Sequence, residues 1–218
     1  VPLPLAQYTD FTVRALEQTR NPETLNWSVV VLIGLVSYIY TLEVQARRWP
    51  VIFAGIGFFL MDIFNETINA SVLHFTDHAA IWTTTGGTAY QPLIGLTVEI
   101  MFTFSIAGIA FVKAIPEDPK EKILGINNRL FFVTVFSIFS VLVELVLHAG
   151  GIFHWAYWWW NWPCIPLIII LGYMPFYGMA AWLYDMGDKT KKQLTVLGTI
   201  GAIDLALLLT MGPILGWI

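Results

Sequence analysis

Six apolar runs, each long enough to cross a bilayer, leave this chain almost no choice of architecture. A transmembrane helix needs roughly 20 consecutive apolar residues. The runs lie near Trp27–Ala46, Pro50–Phe75, Leu93–Ile115, Leu130–Gly150, Pro163–Tyr184 and Leu194–Trp217. Each is continuous in Leu, Ile, Val, Phe, Ala and Gly, so the pattern predicts helices; barrel strands would alternate over about ten residues. Of the 218 residues, 57% are hydrophobic and 12% are charged, far from a soluble domain. The expected fold is all-α, an integral membrane bundle of six transmembrane helices forming a single domain over residues 1–218, without internal repeat.

Basic residues set the expected orientation. Arg47, Arg48, Lys113, Lys120, Lys122, Lys189, Lys191 and Lys192 follow spans one, three and five, and Arg129 opens span four. The opposite side holds only Arg14 and Arg20. Positive-inside bias then puts both termini outside the cytoplasm, in a periplasmic, extracellular or lumenal space. The aromatic stretch Phe153–Trp162 falls at the outer interface, as a belt should. Thr9 or Asp10 is placed to cap a short interfacial helix over Phe11–Thr19. The chain opens Val1-Pro-Leu-Pro without Met, as expected where a leader has been removed or the numbering starts after one. The single cysteine, Cys164, rules out an internal disulfide and a multi-Cys metal site. The sequons at Asn65 and Asn69 lie inside span two, where glycosylation cannot reach them.

Ionisable groups inside spans are costly, and they mark function more often than accident. Glu66, Glu99 and Glu144 sit within apolar runs, while His74, His78, His148 and His154 sit just beyond the ends of runs. A rise of about 1.5 Å per residue brings the three glutamates to similar depth, Glu99 roughly 10 Å below the outer surface. Asp62, Glu66 and Asn69 share one stripe of span two, and Glu144 and His148 share one stripe of span four. Such stripes face the bundle interior, because lipid does not tolerate them.

Three readings of this cluster compete. In the first, one or two transition-metal ions (Fe, Cu, Mn or Zn) are held by Glu66, Glu99, Glu144, His148 and His74 for redox chemistry. In the second, Asp62, Glu66, Glu99 and Glu144 are acids and bases of a metal-free isomerase, cyclase or hydratase of a sterol-like or terpenoid lipid. Trp and Tyr faces at Trp155, Tyr157 and their neighbours would steady a cationic intermediate. The third reading is structural: a polar network in a non-catalytic subunit of a membrane complex, with other membrane subunits as partners. The histidines discriminate, since the metal reading needs them as ligands and the acid–base reading does not.

Other residues carry weaker expectations. Asn69, Trp155, Tyr157 and Tyr173 are candidate substrate contacts, and Pro163, Pro166 and Pro175 could open a side entrance for a lipid near Tyr173 and Tyr177. Asp204, alone in span six, belongs either to the floor of the site or to a polar pair with another helix. His78 and His154 rank below His148 and His74, and Asp77 could orient His78. Glu43, Asp185 and Asp188 read as solvated cytoplasmic ends, and Gly86-Gly87 as a turn. The stretch from Glu144 through Gly151 and Trp155-Ala-Tyr157 to Pro163 resembles segments of membrane carotenoid-modifying proteins, and assigns no residue a role. The expectation is a membrane enzyme with its site toward the outer leaflet, using a Glu/His-bound metal centre for redox or hydrolytic chemistry on a hydrophobic substrate, with the metal-free acid–base enzyme as the alternative. Its partners would be membrane lipid and a hydrophobic small molecule; a slightly acidic chain with scattered basic residues excludes nucleic acid.

Overall fold

The computed structural model describes residues 8–218; the opening Val1-Pro-Leu-Pro, and the expectation about a leader, lie outside them. Helix α1 spans Asp10–Gln18 and is capped by Thr9, whose side chain accepts from the Thr12 amide. Among the described residues, five helices are long and apolar enough to cross a membrane: α2 (Ser28–Gln45), α3 (Trp49–Thr76), α5 (Asn128–Ala149), α6 (Ile165–Asp185) and α7 (Thr190–Ile214). Helix α4, Val98–Ala114, has 17 residues. It starts later than its apolar run suggests, because Thr97 caps it through the Ile100 amide and Leu93–Leu96 run as buried, non-helical chain. Helix α6 is irregular over Ile168–Tyr173, where its turns widen to a π-helix.

Helix α3 is the centre of the bundle. It packs on α2, α4, α6 and α7, while α5 packs on α6. The tightest approach is between α3 and α4 at Gly55 and Gly108. A Cβ on Gly108 would lie 2.8 Å from the Ala54 carbonyl oxygen and 2.9 Å from the Gly55 Cα. Small residues at a crossing let backbones approach closely, which matters in lipid, where no hydrophobic effect drives helices together.

The apolar pattern did not announce the short β-ribbons. Two connections at one end of the bundle pair as an antiparallel ribbon, β1 (Trp82–Thr84) with β4 (Phe153–Trp155). Between them in the chain, β2 (Lys122–Ile123) and β3 (Ile126–Asn127) form a hairpin at the opposite end. The β1–β4 ribbon sets Trp82 opposite Trp155. Tyr157 ties it to the end of α3, its hydroxyl donating to the Ala79 carbonyl (2.8 Å) and to Thr76 (3.0 Å).

The cytoplasmic-end expectation needs one correction. Glu43 is not solvated but 1% exposed. It accepts from Arg48 and Lys113, each at 2.6 Å, so α2 is pinned to α4. A buried carboxylate without such partners would be strongly destabilising. Asp185 pairs with Arg129, tying α6 to the start of α5 at 2.7 Å.

Candidate functional site

A cavity of about 470 Å³ opens inside the bundle. This lies within the roughly 300–1,000 Å³ range of small-molecule sites. Helices α3 and α6 form its floor, α4 and α5 its walls, and Trp82, Phe153 and Trp160 its roof. Aromatic rings dominate the floor: Phe58, Phe104 and Phe176 contact one another, and Tyr177 closes on Phe58 at 4.8 Å between ring centroids. Asp62, Glu66, Glu99 and Glu144 are the acidic residues that line this apolar space.

Two of the carboxyls are held in matching cradles. Glu66 accepts from the Trp82 indole N–H at 2.7 Å and from the Asn69 amide at 3.3 Å. Glu144 accepts from the Trp155 indole N–H at 3.2 Å and from the Tyr173 hydroxyl. In each cradle both oxygens take a donor, the pattern of a carboxylate. The two indoles come from opposed positions of one ribbon, so a single piece of backbone aims both donors. Asn69 fixes that backbone to α3, its amide donating to the Trp82 carbonyl (2.9 Å) and its oxygen accepting from the Trp82 N–H (3.0 Å).

Asp62 differs. It is 3% exposed, lines the cavity one helical turn from Glu66, and its Oδ2 has no hydrogen-bond partner. A buried polar group costs free energy unless it is paired. Asp62 therefore stands out as the polar group in the site that a bound molecule could satisfy.

Glu99 is placed otherwise than expected. With α4 beginning at Val98, it lies in the first helical turn. Its carboxylate turns toward the loop that precedes α4, accepting from the Thr88 hydroxyl and the Ala89 N–H, each at 2.6 Å. It borders the cavity while bracing the loop above it.

The histidines do not join the carboxylates. His74 stacks on Trp217 at 4.2 Å. His148 stacks on Trp155 at 4.9 Å and donates from Nδ1 to the Phe153 carbonyl at 3.0 Å. His154 stacks on Phe11 at 5.2 Å, with Nε2 near Thr85 Oγ1 (3.0 Å) and the Gly151 carbonyl (3.2 Å). Burial holds its imidazole below the ordinary value; the Gly151 carbonyl opposes this, and His148 and Arg14 reinforce it. His78 lies beside the Tyr157 ring. Among the described residues, no group of three or more His, Cys, Asp or Glu side chains is arranged to hold a metal ion. The Glu/His ligand set expected from spacing is thus not assembled.

The substrate candidates divide as well. Tyr173 lines the cavity, while Asn69 and Trp155 serve the two carboxylates and Tyr157 serves the α3 end. Asp204 does not line the cavity; it is buried in α7 with neither oxygen hydrogen-bonded. Tyr173 and Tyr177 are buried and both line the cavity.

Two site residues escaped the sequence reading. Trp82 looked like one aromatic among ten tryptophans. Gly95 carried no signal, yet a Cβ there would lie 2.5 Å from Asn69 Nδ2, 2.6 Å from Glu66 Oε2 and 2.7 Å from Trp82 Cδ1. Gly95→Ala should therefore spoil the Glu66 cradle more than the fold. Charge-assisted hydrogen bonds are worth about 1.5–3 kcal/mol, so if the site is catalytic its activity should fall roughly 10- to 100-fold. Thermal melting in detergent beside the activity assay would check this; full activity would show that the cradle is not needed.

Residues 9–213 match the pattern of an uncharacterized membrane protein family. The chain belongs to that family. A protein of Archaeoglobus fulgidus is 45% identical over 204 residues, 94% of this chain and 96% of that relative. A second, shorter Archaeoglobus fulgidus protein is 45% identical over 56 residues, 26% of this chain and 98% of its own length. Both are described as uncharacterized proteins. No solved structure matches the chain. Family membership and the apolar helices make this an integral membrane protein.

Proposed function

We propose that this membrane protein is an acid–base enzyme acting on a carbon–carbon double bond of an isoprenoid-like lipid. The observation that carries the reading is Asp62, a carboxyl without a partner for Oδ2, facing an aromatic cavity beside two carboxylates whose oxygens are already occupied. On this reading α4 is a sixth span and both termini are extracytoplasmic. The site then opens in the outer half of the bilayer, in keeping with Arg48, Lys113 and Arg129 gathered at the opposite end.

The chemistry follows from these roles. Asp62 gives its proton to one alkene carbon; the C–H bond forms from the π electrons, and the O–H electrons stay on Asp62. The cation on the other carbon is flanked by the rings of Phe58, Phe104 and Phe176, whose π faces attract positive charge. Glu144 takes a proton from a neighbouring carbon, forming the shifted double bond. Transfer back through Glu66, one turn from Asp62 on α3, restores the acid. Capture of the cation by a second double bond or by water would give a ring or an alcohol from the same site.

The metal reading draws less support, because His74 and His148 are engaged with Trp217, Trp155 and the Phe153 carbonyl. Two measurements separate the readings. Protein in lipid nanodiscs, incubated in D2O with squalene or geranylgeraniol, should place carbon-bound deuterium in the recovered lipid, and His148→Ala should retain most of this activity. Absence of deuterium from both lipids would count against the reading. So would an equivalent of transition metal in the purified protein that is lost together with activity in His148→Ala.

A further inference from the structure

The cavity has walls on two sides and a roof, but one side is left open between α4 and α5. These two helices meet near the cytoplasmic end, where the Phe111 and Phe136 rings lie 5.2 Å apart. Elsewhere they hardly touch. Along α4 the cavity is bordered by Ile100, Thr103, Phe104, Ala107 and Ala110, which fall on one face at three- and four-residue spacing. The matching face of α5 runs from Phe136 to Leu147. The gap is thus about 15 Å long, at about 1.5 Å per residue over some ten residues. Its lips are mostly apolar, with Thr103 the exposed polar side chain on α4, and the α5 lip is uncovered: Phe139 is 62% exposed and Val143 44%. In a transmembrane helix, side chains exposed at this depth face lipid.

We propose that the α4–α5 gap is a lateral portal through which an isoprenoid chain enters from the bilayer and reaches Asp62. The proposal rests on the reading of the cavity as a lipid site. The occupant's chemistry follows from what lies behind the gap. A free acid among aromatic rings suits an alkene that protonates to a tertiary cation, as the branched double bonds of isoprenoids do; the unbranched double bonds of acyl chains give less stable secondary cations. Ala107 and Ala110 put small side chains along the α4 lip.

The test reads occupancy instead of turnover. Protein in nanodiscs is irradiated with a diazirine derivative of geranylgeraniol, and adducts are mapped by peptide mass spectrometry. Adducts are expected on the α3 peptide carrying Asp62 and Glu66. Ala107→Trp and Val143→Trp, which narrow the gap from either lip, should lower them by about tenfold or more. Leu142→Trp, exposed on α5 and outside the cavity lining, should leave them unchanged. Wild-type labelling in both narrowed variants would overturn the portal. Equal cavity labelling by a diazirine fatty-acyl phospholipid would overturn the isoprenoid occupant. Should Ala107→Trp not fold, Val143→Trp at its already exposed position carries the comparison. Labelling that depends on the gap without deuterium transfer in D2O would leave the portal standing and remove the acid–base chemistry.

Discussion

Asp62→Asn should reduce deuterium transfer by roughly 10²–10⁴-fold, the usual contribution of a general acid, while the protein still folds. Asparagine keeps the size of the side chain but has no carboxyl proton to give to an alkene. No hydrogen bond of Asp62 Oδ2 is lost, because it makes none. The fold has little reason to respond, and the melting temperature in detergent should stay near that of the wild type. This pairing of outcomes is what separates Asp62 from the other two acids. Glu66→Gln and Glu144→Gln would turn a cradle of donors against an amide N–H, so structure and activity would change together. Near-normal transfer by Asp62→Asn would remove Asp62 as the acid.

The second large effect lies at the α3–α4 crossing. Gly108→Val would press a branched side chain against the Ala54 carbonyl oxygen and the Gly55 Cα, already 2.8 and 2.9 Å from the site of a Cβ. Backbone atoms of a packed helix cannot swing aside as the end of a flexible side chain can. Overpacking of this kind costs about 1–3 kcal/mol, occasionally more. A clear drop in melting temperature is expected, with a parallel loss of activity, since α4 carries one wall of the cavity. An unchanged melting temperature would mean that the helices do not approach as closely as described.

Much of the helical bundle was legible because burial of backbone polar groups in lipid permits so few solutions. Asp62, Glu66 and Glu144 could be assigned to the interior because carboxyls within apolar runs have nowhere else to go. The histidines misled for the opposite reason. Near a membrane surface an imidazole finds aromatic faces and backbone carbonyls, as His74 does at Trp217 and His148 at Trp155 and Phe153. Depth alone could not tell a ligand from a stacked ring. Glu99 misled through one helix boundary: an apolar stretch read as span proved to be bent, non-helical chain up to the Thr97 cap. The ribbon was illegible because strands of three residues leave too short an alternation to see. Gly95 was illegible because its role is the room it leaves for residues distant in sequence.

That ribbon makes the two cradles one thermodynamic unit. Trp82 and Trp155 are cross-strand partners, and side chains along a strand alternate between faces, so a slip of one residue would turn either strand's indole away from the bundle. Loss of pairing would release the indole donors of Glu66 and Glu144 at once, leaving Asn69 and Tyr173 on their helices, and a perturbation felt at one carboxylate should be transmitted to the other through some few residues of backbone. Removing both indoles should then cost measurably less or more than the sum of the single losses, as happens for groups sharing one network. The two acids are in this sense not neighbours by chance of folding but readouts of a single local equilibrium, the opening and closing of the ribbon.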